Sequence, residues 1–553
     1  MATTTTTTVP VTELLSAPGP AVVVEDERHT TGINDGARAE ERRVFDAAPT
    51  TTAPAGQNSR FLVMSLLVAI NIVQFITNFV TISGGLALSD ALGRKVGAGQ
   101  ANWMAAAYSL TQGAFVLITG RLGSIYGHQT MVLIGSMLFV TFSLANALCK
   151  TYNAFIAVRA LTGIGGGIFM PNAVAIIMTM TPPGRTRNLT MGFFATSPPI
   201  GGVIGAIFAG VFTEMVDWQW LFVLIALLAA IPTALLAWLF PREQPADPNG
   251  KTDIVGAFLG LGSLLMFNFV WNQAPAVGWQ TDYEIACLVV SVALFISFLV
   301  WEKLYAVEPI MPLNVFRTPT FASLIFVVLL TYMSIGISLW YSISWQQILR
   351  ETTVLQTGVN FLPFGLGSVA SVAIAAWLIP RIAAQWILGL GVVTCVASNL
   401  LLATMPVKQT YWAQAFPATT LISFSPDFVY VAAQLIASNS VGRRHQGVAS
   451  SLVGTLNLYG NSLGLGFAGT IEVHIAKGHG AADVVRGYRA ALYFGVALAV
   501  AGLLLNFAFV RMPRDEREGW EETDGEGSVR PTGSSTALEL QPQHMLASGG
   551  AAP

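Results

Sequence analysis

Charged residues are scarce in this sequence. Only 10% of its 553 residues are Asp, Glu, Lys or Arg, and 53% are hydrophobic. An ordinary soluble domain is about 25% charged. This composition excludes a water-soluble globular protein and predicts a chain that lies mostly within a lipid bilayer.

Cysteine, histidine and net charge are scarce as well. The three cysteines, Cys149, Cys287 and Cys395, are isolated, so they offer neither a disulfide framework nor a metal cluster. A net charge of −2 leaves no basic surface for nucleic acid. The six histidines are scattered, whereas a membrane enzyme needs histidine or acidic residues that converge. We therefore expect no enzyme activity, no metal, no cofactor and no nucleic-acid partner.

The charges that are present gather at the two ends of the chain. Residues 61–510 hold only 33 of the 58 charged residues. Residues 1–59 and 513–553 cannot bury enough apolar surface to fold, and we expect both tails to be disordered. No Lys or Arg precedes Arg28, so the charged start of a cleaved signal is missing. Membrane insertion should begin with an uncleaved helix near Phe61.

Fourteen stretches between the tails are long and apolar enough to be membrane-spanning helices, since about 20 apolar residues cross a bilayer core of about 30 Å. The prediction is an all-α, multi-pass membrane protein with both ends on one side. The predicted spans, numbered 1 to 14, cover approximately residues 61–86, 102–119, 130–149, 153–179, 190–212, 219–240, 253–273, 283–301, 321–346, 357–379, 383–404, 411–438, 446–473 and 490–511.

Basic residues indicate which side holds the tails. With the tails in the cytoplasm, the inner loops collect ten Lys and Arg residues and the outer loops eight, and the tails add nine to the inner side. We expect both termini to be cytoplasmic and the protein to lie in the plasma membrane, with the vacuolar membrane as the alternative. The single N-x-S/T sequon, at Asn188, then faces the cytoplasm and should stay unglycosylated.

Two motifs lie in spans 2 to 4. The first is GRLGSIYGHQ, residues 120–129, which predicts a tight interhelical turn with basic side chains at the membrane surface. The second is VRALTGIGGG, residues 158–167, which places Arg159 inside the apolar part of a helix. A charge there costs about 3 kcal/mol, so it should face a wet cavity or a partner; the alternative is that it snorkels to the outer surface. The first motif contributes Gly120, Arg121, Ser124, Gly127 and His128.

A third motif lies in span 5. It reads GFFATSPPIGGVIGAIFAG, residues 192–210. Pro198 lacks a backbone donor and predicts a kink, while Gly201 and Gly202 allow a neighbouring helix to approach closely.

Together and in this order, the three motifs resemble those of the major facilitator superfamily. Residues 120–129 are similar to its signature G-x-x-x-D-R/K-x-G-R/K-R/K, except that Ser124 stands in place of Asp and Gln129 in place of a basic residue. Residues 158–167 resemble R-x-x-Q-G-x-G, and residues 192–210 resemble the antiporter motif G-P-x-x-G-G. The family's Asp joins a charge network that latches one conformation. The resemblance implies that this latch is lost here or remade through Arg121 and a hydroxyl.

Fourteen spans make the chain similar to the fourteen-spanner drug:proton antiporters, and residues 425–470 resemble their fungal aminotriazole-resistance-like branch. The resemblance covers about residues 60–512. It implies the major facilitator fold, with a six-helix bundle in residues 60–241, two inserted spans in residues 242–317, and a second six-helix bundle in residues 318–512.

Two charged residues lie well inside predicted spans, Arg159 in span 4 and Asp427 in span 12. A carboxyl group in a low-dielectric surrounding favours its neutral form, so Asp427 can bind and release a proton during transport. Tyr430 and Gln434 share its helical face. The alternative is a structural carboxylate held by backbone groups near Pro426. We predict that Asp427, with Arg159, couples transport to protons.

Polar side chains at helical spacing mark a substrate cavity, because amides are costly in lipid; hydrogen bonding between helices is the alternative role. Three aromatic residues of span 9 either stack on a flat substrate or lie at the membrane interface: Trp340, Tyr341 and Trp345. Acidic residues near span ends are expected at the interface: Glu214, Asp217, Glu302 and Glu472. The predicted cavity lining consists of Asn71, Gln74, Asn78, Tyr430, Gln434, Asn457 and Asn461.

The resulting prediction is a secondary active transporter that exports small organic compounds by alternating access, coupled to proton entry, as a monomer in the lipid bilayer. One charge that crosses a membrane potential of 100 mV releases about 2.3 kcal/mol, so proton entry can drive export. The sequence has no phosphate-binding loop, which argues against a pump driven by ATP. The alternatives are a nutrient facilitator or importer, and a membrane sensor that does not transport.

Overall fold

The computed structural model describes residues 57–181, 185–240, 245, 247, 250–306, 309–311, 313–441, 446–476, 478 and 480–511. These residues form helices joined by loops, with no strand among them. The two predicted tails lie outside the described ranges, except that residues 57–59 already belong to the first helix. Disorder of the tails therefore stays a prediction.

Helices occupy all fourteen predicted spans, because a helix satisfies its own backbone hydrogen bonds in lipid. A 3₁₀-helix covers Leu313–Arg317, and a π-helix covers Trp345–Leu349. The α-helices are α1 (Gln57–Ser83), α2 (Gly85–Ala91), α3 (Ala98–Ala101), α4 (Trp103–Tyr126), α5 (His128–Ala147), α6 (Tyr152–Met180), α7 (Arg185–Ala195), α8 (Ser197–Glu214), α9 (Trp218–Leu239), α10 (Ile254–Val277), α11 (Asp282–Leu304), α12 (Pro319–Ser344), α13 (Val354–Val359), α14 (Leu362–Leu378), α15 (Ala384–Thr404), α16 (Ala415–Ser440), α17 (Gln446–Ile475) and α18 (Ala481–Phe509).

Twelve helical segments of the described residues are long and apolar enough to cross a membrane. The long helices α4 and α17 are not among them, because Gly, Ser, Thr and Asn dilute their apolar content. Both are largely buried in protein, and they pack against each other. Many membrane-spanning helices are thus established, whereas the predicted number of fourteen stays a prediction.

Three helix boundaries differ from the sequence-based prediction. Helix α4 continues to Tyr126, so most of the first motif is helical rather than a loop, and the turn comes at Gly127, whose φ is 95°. Span 5 is divided at Thr196 into α7 and α8, because the two prolines that follow cannot donate backbone hydrogen bonds. Helix α18 begins well before residue 490, so Arg486 and Arg489 lie in a helix instead of an outer loop.

Helix contacts group mainly within each half of the chain. In the first half, α1 packs on α8 and α9, and α6 packs on α4 and α5. In the second half, α12 packs on α17 and α18, and α16 packs on α14 and α15. The halves meet where α4 contacts α17 and where α8 contacts α13 and α14. Helix α10 of the inserted pair touches both α4 and α17, so it lies along this boundary.

Prolines inside the helices leave carbonyl groups without their helical donor, and adjacent helices supply replacements. Pro198 cannot donate to the carbonyl of Phe194, which instead accepts a hydrogen bond of 3.2 Å from Asn71 Nδ2 on α1. Pro171 likewise frees the carbonyl of Gly167, which accepts a bond of 2.8 Å from Thr119 Oγ1 on α4. Polar side chains of neighbouring helices thus replace the backbone hydrogen bonds that the prolines remove.

Candidate functional site

A cavity of about 340 Å³ lies between the two halves. Helices α1, α4, α6, α7 and α8 of the first half and α12, α14, α16 and α17 of the second half contribute to its wall. Polar groups are a minority, which is typical of a site for a small, mainly apolar molecule. The aromatic part of the wall includes Phe75, Phe79, Tyr332, Trp340 and Phe364.

The structure brings together most of the predicted lining residues. Gln74 is the exception: it is buried beside the cavity, where its Oε1 accepts a hydrogen bond of 3.3 Å from Gln112 Nε2. A substrate contact through Gln74 therefore does not follow from the geometry. The six predicted residues that line the cavity are Asn71, Asn78, Tyr430, Gln434, Asn457 and Asn461.

The amides of the wall also join helices. Ser109 Oγ on α4 donates to Asn78 Oδ1 at 3.3 Å, and Ser450 Oγ on α17 donates to Gln434 Oε1 at 2.7 Å. The two roles that the sequence left open, cavity lining and hydrogen bonding between helices, are therefore combined in the same side chains.

Asp427 lies in the cavity wall on α16, with its side chain 9% exposed. Ser368 Oγ on α14 donates a hydrogen bond to its carboxylate. The donor is thus a side chain of another helix, rather than backbone groups near Pro426. Among the described residues, no Lys, Arg or His lines this cavity. Asp427 is therefore an acidic group that faces the cavity without a cation.

Arg159 is fully buried in α6, which overturns the alternative of a side chain snorkelling to the surface. Its Nη1 donates to Thr77 Oγ1 at 3.0 Å, and its Nη2 donates to the Thr77 carbonyl at 3.1 Å and to Thr81 Oγ1 at 3.0 Å. The guanidinium also lies 4.9 Å from the ring centre of Tyr108, a cation–π contact. Arg159 is absent from the wall of the cavity, so its partners tie α6 to α1.

The end of α4 carries the first motif and an ion pair that the sequence did not predict. Arg121 Nη2 lies 3.0 Å from Asp247 Oδ2, and the backbone N–H of Asp247 donates to the Ser124 carbonyl at 2.9 Å. The Ser124 hydroxyl donates to the carbonyl of Gly120 in its own helix. Arg121 thus pairs with a carboxylate from the loop after α9, while the Ser124 hydroxyl bonds within its own helix. Whether the latch is lost or remade through a hydroxyl stays a prediction.

The same motif holds three helices together. His128 Nδ1 at the start of α5 lies 2.8 Å from Asn172 Oδ1 on α6, and Asn172 Nδ2 donates to the Thr119 carbonyl of α4 at 3.2 Å. A side chain at Gly123 would collide with both Asn172 and His128. Neither Gly123 nor Asn172 was predicted from the sequence. An amide inside a predicted span was the available signal for Asn172.

A second cavity of about 680 Å³ connects the central cavity with the end that carries the first motif. Its wall includes Gly120, Arg121, Ser124 and His128. It shares lining residues with the central cavity, so the two form a route toward this end. The shared residues are Met170, Val174, Tyr430 and Ser450.

The opposite end is closed by contacts between the halves. Trp340 Nε1 donates to the Ala98 carbonyl at 3.2 Å and Gln347 Nε2 to the Ser83 carbonyl at 2.7 Å. Glu214 Oε1 accepts from the backbone of α13. The structure is therefore open at the end of the first motif and sealed at the other.

Several residues for which the sequence suggested or left open a place at the membrane interface are buried. Trp340, Tyr341 and Trp345 are each at most 1% exposed, and Trp340 lines the cavity, so the interfacial alternative is wrong for them. Glu302 and Glu472 are also only 6% exposed, so other parts of the protein cover them, and their expected place near the membrane interface stays a prediction. Sequence position alone could not show that neighbouring segments cover these span ends.

Comparisons with known proteins bear on the family and the fold. The family model described as Major Facilitator Superfamily matches residues 64–465. The fold resembles the crystal structure of a bacterial homologue of the human lysosomal transporter Spinster, in an inward-facing and unoccupied conformation. That likeness has a TM-score of 0.56 and 15% identity, and it covers 82% of this chain and 98% of the other.

Fungal relatives extend over most of the chain. The efflux pump terG of Aspergillus terreus is 32% identical, covering 78% of this chain and 84% of its own. Two Saccharomyces cerevisiae proteins are also similar. The low affinity ammonium transporter is 31% identical over 74% of this chain and 80% of its own, and the aminotriazole resistance protein is 29% identical over 77% and 80%.

Proposed function

The chain belongs to the major facilitator superfamily and is a multi-pass membrane transporter, and from this premise we propose that it exports small, mainly apolar organic molecules in exchange for protons. A major facilitator transporter moves solutes across the bilayer, so the chain is a transporter and not an enzyme. Relatives named as an efflux pump and as an aminotriazole resistance protein support export.

One observation carries the proton-coupling part of the proposal: Asp427 is an acidic group in the cavity wall, without a cation among the described lining residues. An ionised carboxylate without a cation is costly in such a surrounding, whereas the neutral form needs little compensation. Ser368 donates to the carboxylate and can stabilise the ionised form after the proton leaves. This arrangement suits a group that alternates between the two forms.

The residues that line the central cavity indicate the class of substrate. The aromatic rings and amides of the cavity wall suit a compact organic molecule with apolar faces and a few hydrogen-bonding groups. Large aromatic side chains such as Tyr332 and Trp340 offer contact area, while Asn78 and Asn461 can accept or donate hydrogen bonds. The substrate would reach this wall through the second cavity.

In this proposal the protein transports its substrate by alternating access. The predicted bundles, residues 60–241 and 318–512, would rock about the central cavity, with helix α10 lying along their boundary. With both termini in the cytoplasm, the open end faces the cytoplasm and the sealed end faces outside. We propose that the working unit is a monomer in the plasma membrane.

The proposal is tested by measuring whether proton flux is coupled to substrate transport. The full-length protein is placed in proteoliposomes that enclose a pH-sensitive dye, and a panel of hydrophobic compounds is added under an imposed pH gradient. Export in exchange for protons predicts a compound-dependent proton flux that Asp427→Asn lowers at least about tenfold, since the group that carries the proton is gone. Asp217→Asn is the matched control, because Asp217 is an exposed acid outside the cavity wall. Proton coupling through Asp427 is refuted if Asp427→Asn transports like the parent between about pH 5 and pH 8.

A second candidate is uptake of a small nitrogen compound, favoured by the relative named as a low affinity ammonium transporter. A cavity of about 340 Å³ is far larger than an ammonium ion, which supports the organic substrate instead. The same vesicles decide between them, because uptake predicts movement of methylammonium down its gradient without any effect of the hydrophobic compounds.

A further inference from the structure

Glu472 is a buried carboxylate that the transport mechanism above does not use. It lies near the end of α17, on the sealed side of the molecule, and is 6% exposed. The hydroxyl of Tyr341 on α12 donates to its Oε2 at 2.7 Å. Both residues belong to the second half of the chain.

The other contact of Glu472 crosses to the first half. Its carboxylate lies against the backbone of Gly99 in α3, the short helix before α4. A Cβ at Gly99 would lie 2.9 Å from Glu472 Oε2, so only glycine lets the carboxylate approach this closely. The neighbouring Ala98 carbonyl accepts the bond from Trp340 that closes the cavity. Glu472 therefore lies within the contact that seals this end.

The titratable groups around Glu472 are few. Tyr341 faces it from α12 and Tyr488 from α18, and both are phenols that stay neutral near pH 7. Helix α3 approaches it through the backbone of Gly99. Among the described residues, no Lys, Arg or His forms an ion pair with it. The carboxyl group thus has the Tyr341 hydroxyl as a hydrogen-bond donor but no compensating cation among the described residues.

We propose that Glu472 is a second proton-binding residue of the transporter, which holds its proton while this end is sealed and exchanges it with the outside when the end opens. This inference rests on the proposed transport function. Opening moves α3 away from α17 and admits water to the carboxylate. Because only the ionised form gains strongly from hydration, loss of the proton favours the open state and binding of the proton favours the sealed state.

The test measures opening directly, without substrate or gradient. Ala98 is fully buried in the sealed structure, so a cysteine in its place reacts with a maleimide only when this end opens. The background replaces the partly exposed Cys149 and Cys287 by serine and leaves the buried Cys395. Labelling of the purified full-length protein is followed between about pH 5 and pH 8.

Expected results separate proton binding from a merely structural role. With Glu472 present, the labelling rate is divided at each pH by that of the exposed-site variant Asp217→Cys, because the thiolate fraction of any cysteine also rises with pH. This relative rate should rise about tenfold from the low to the high end of the pH range, because opening releases a proton. Glu472→Gln should remove this pH dependence and Glu472→Asp should retain it, whereas a structural role would shift the rate equally at every pH. Asp427→Asn should keep the pH dependence.

The outcomes also separate this inference from the proposed function. If Glu472→Gln retains the parent's pH profile, or if the parent shows none, Glu472 is not the proton-binding group. The pH profile of labelling could depend on Glu472 while the vesicles show no coupled proton flux. That result would refute export in exchange for protons and would support proton-dependent opening through Glu472.

Discussion

The hydrogen bond between Asn71 and the carbonyl of Phe194 predicts that one substitution rescues another. Asn71→Ala removes the donor that replaces the missing N–H of Pro198, and it leaves a buried carbonyl without a partner. A buried, unsatisfied acceptor costs about 1–3 kcal/mol. Pro198→Ala restores an N–H at the position that bonds to Phe194 in an uninterrupted helix. Asn71→Ala should therefore be nearly harmless in the Pro198→Ala background.

The assay is a double-mutant cycle on the free energy of unfolding, measured by circular dichroism in mixed micelles with increasing SDS. We expect Asn71→Ala to lower the free energy of unfolding by about 1–3 kcal/mol in the parent, and by less than about 0.5 kcal/mol beside Pro198→Ala. Asn461→Ala is the matched control, since Asn461 Nδ2 bonds within its own helix, to the Asn457 carbonyl. Equal costs of Asn71→Ala in both backgrounds would refute the reasoning.

Two further predictions rest on contacts of the first motif and its neighbours. Thr119→Val removes the hydrogen bond from α4 to the Gly167 carbonyl, so it should lower the free energy of unfolding by about 1–3 kcal/mol in the same assay. Pro171→Ala, which restores a backbone donor for that carbonyl, should remove most of this cost. A cost that stays the same beside Pro171→Ala would contradict the prediction. The side chains of Arg121 and Asp247 are 36% and 44% exposed, so a double-mutant cycle between them should give a coupling of only about 0.2–1 kcal/mol that disappears in about 1 M salt. A coupling that persists at high salt would show that the pair is shielded from solvent.

Much of the fold could be predicted because it depends on local properties. The placement of helices follows from long apolar stretches, since a helix satisfies its own backbone groups in lipid. The break in span 5 follows from Pro198 and Pro199, which lack backbone donors. The ends of α4 and α18 were predicted less well, because those helices continue beyond the apolar stretch into more polar residues.

The candidate site could be predicted only in part. Asn71, Asn78, Asp427 and Tyr430 were found because polar groups are costly in lipid and therefore face a cavity or a partner. The same rule selected Gln74, yet that side chain turns toward Gln112 instead of the cavity. Helical spacing places residues on one face of a helix, but it does not decide which neighbouring helix meets each turn of that face.

The sequence by itself determined that this protein is a helical membrane transporter of the major facilitator superfamily, because composition, apolar length and short motifs are properties of contiguous residues. Only the tertiary structure decided which distant groups meet. Asp247 pairs with Arg121, Asn71 bonds to the Phe194 carbonyl, and Glu472 is sealed against Gly99. These contacts depend on how helices are rotated and how closely small residues let them pack, which is a property of the whole assembly of helices.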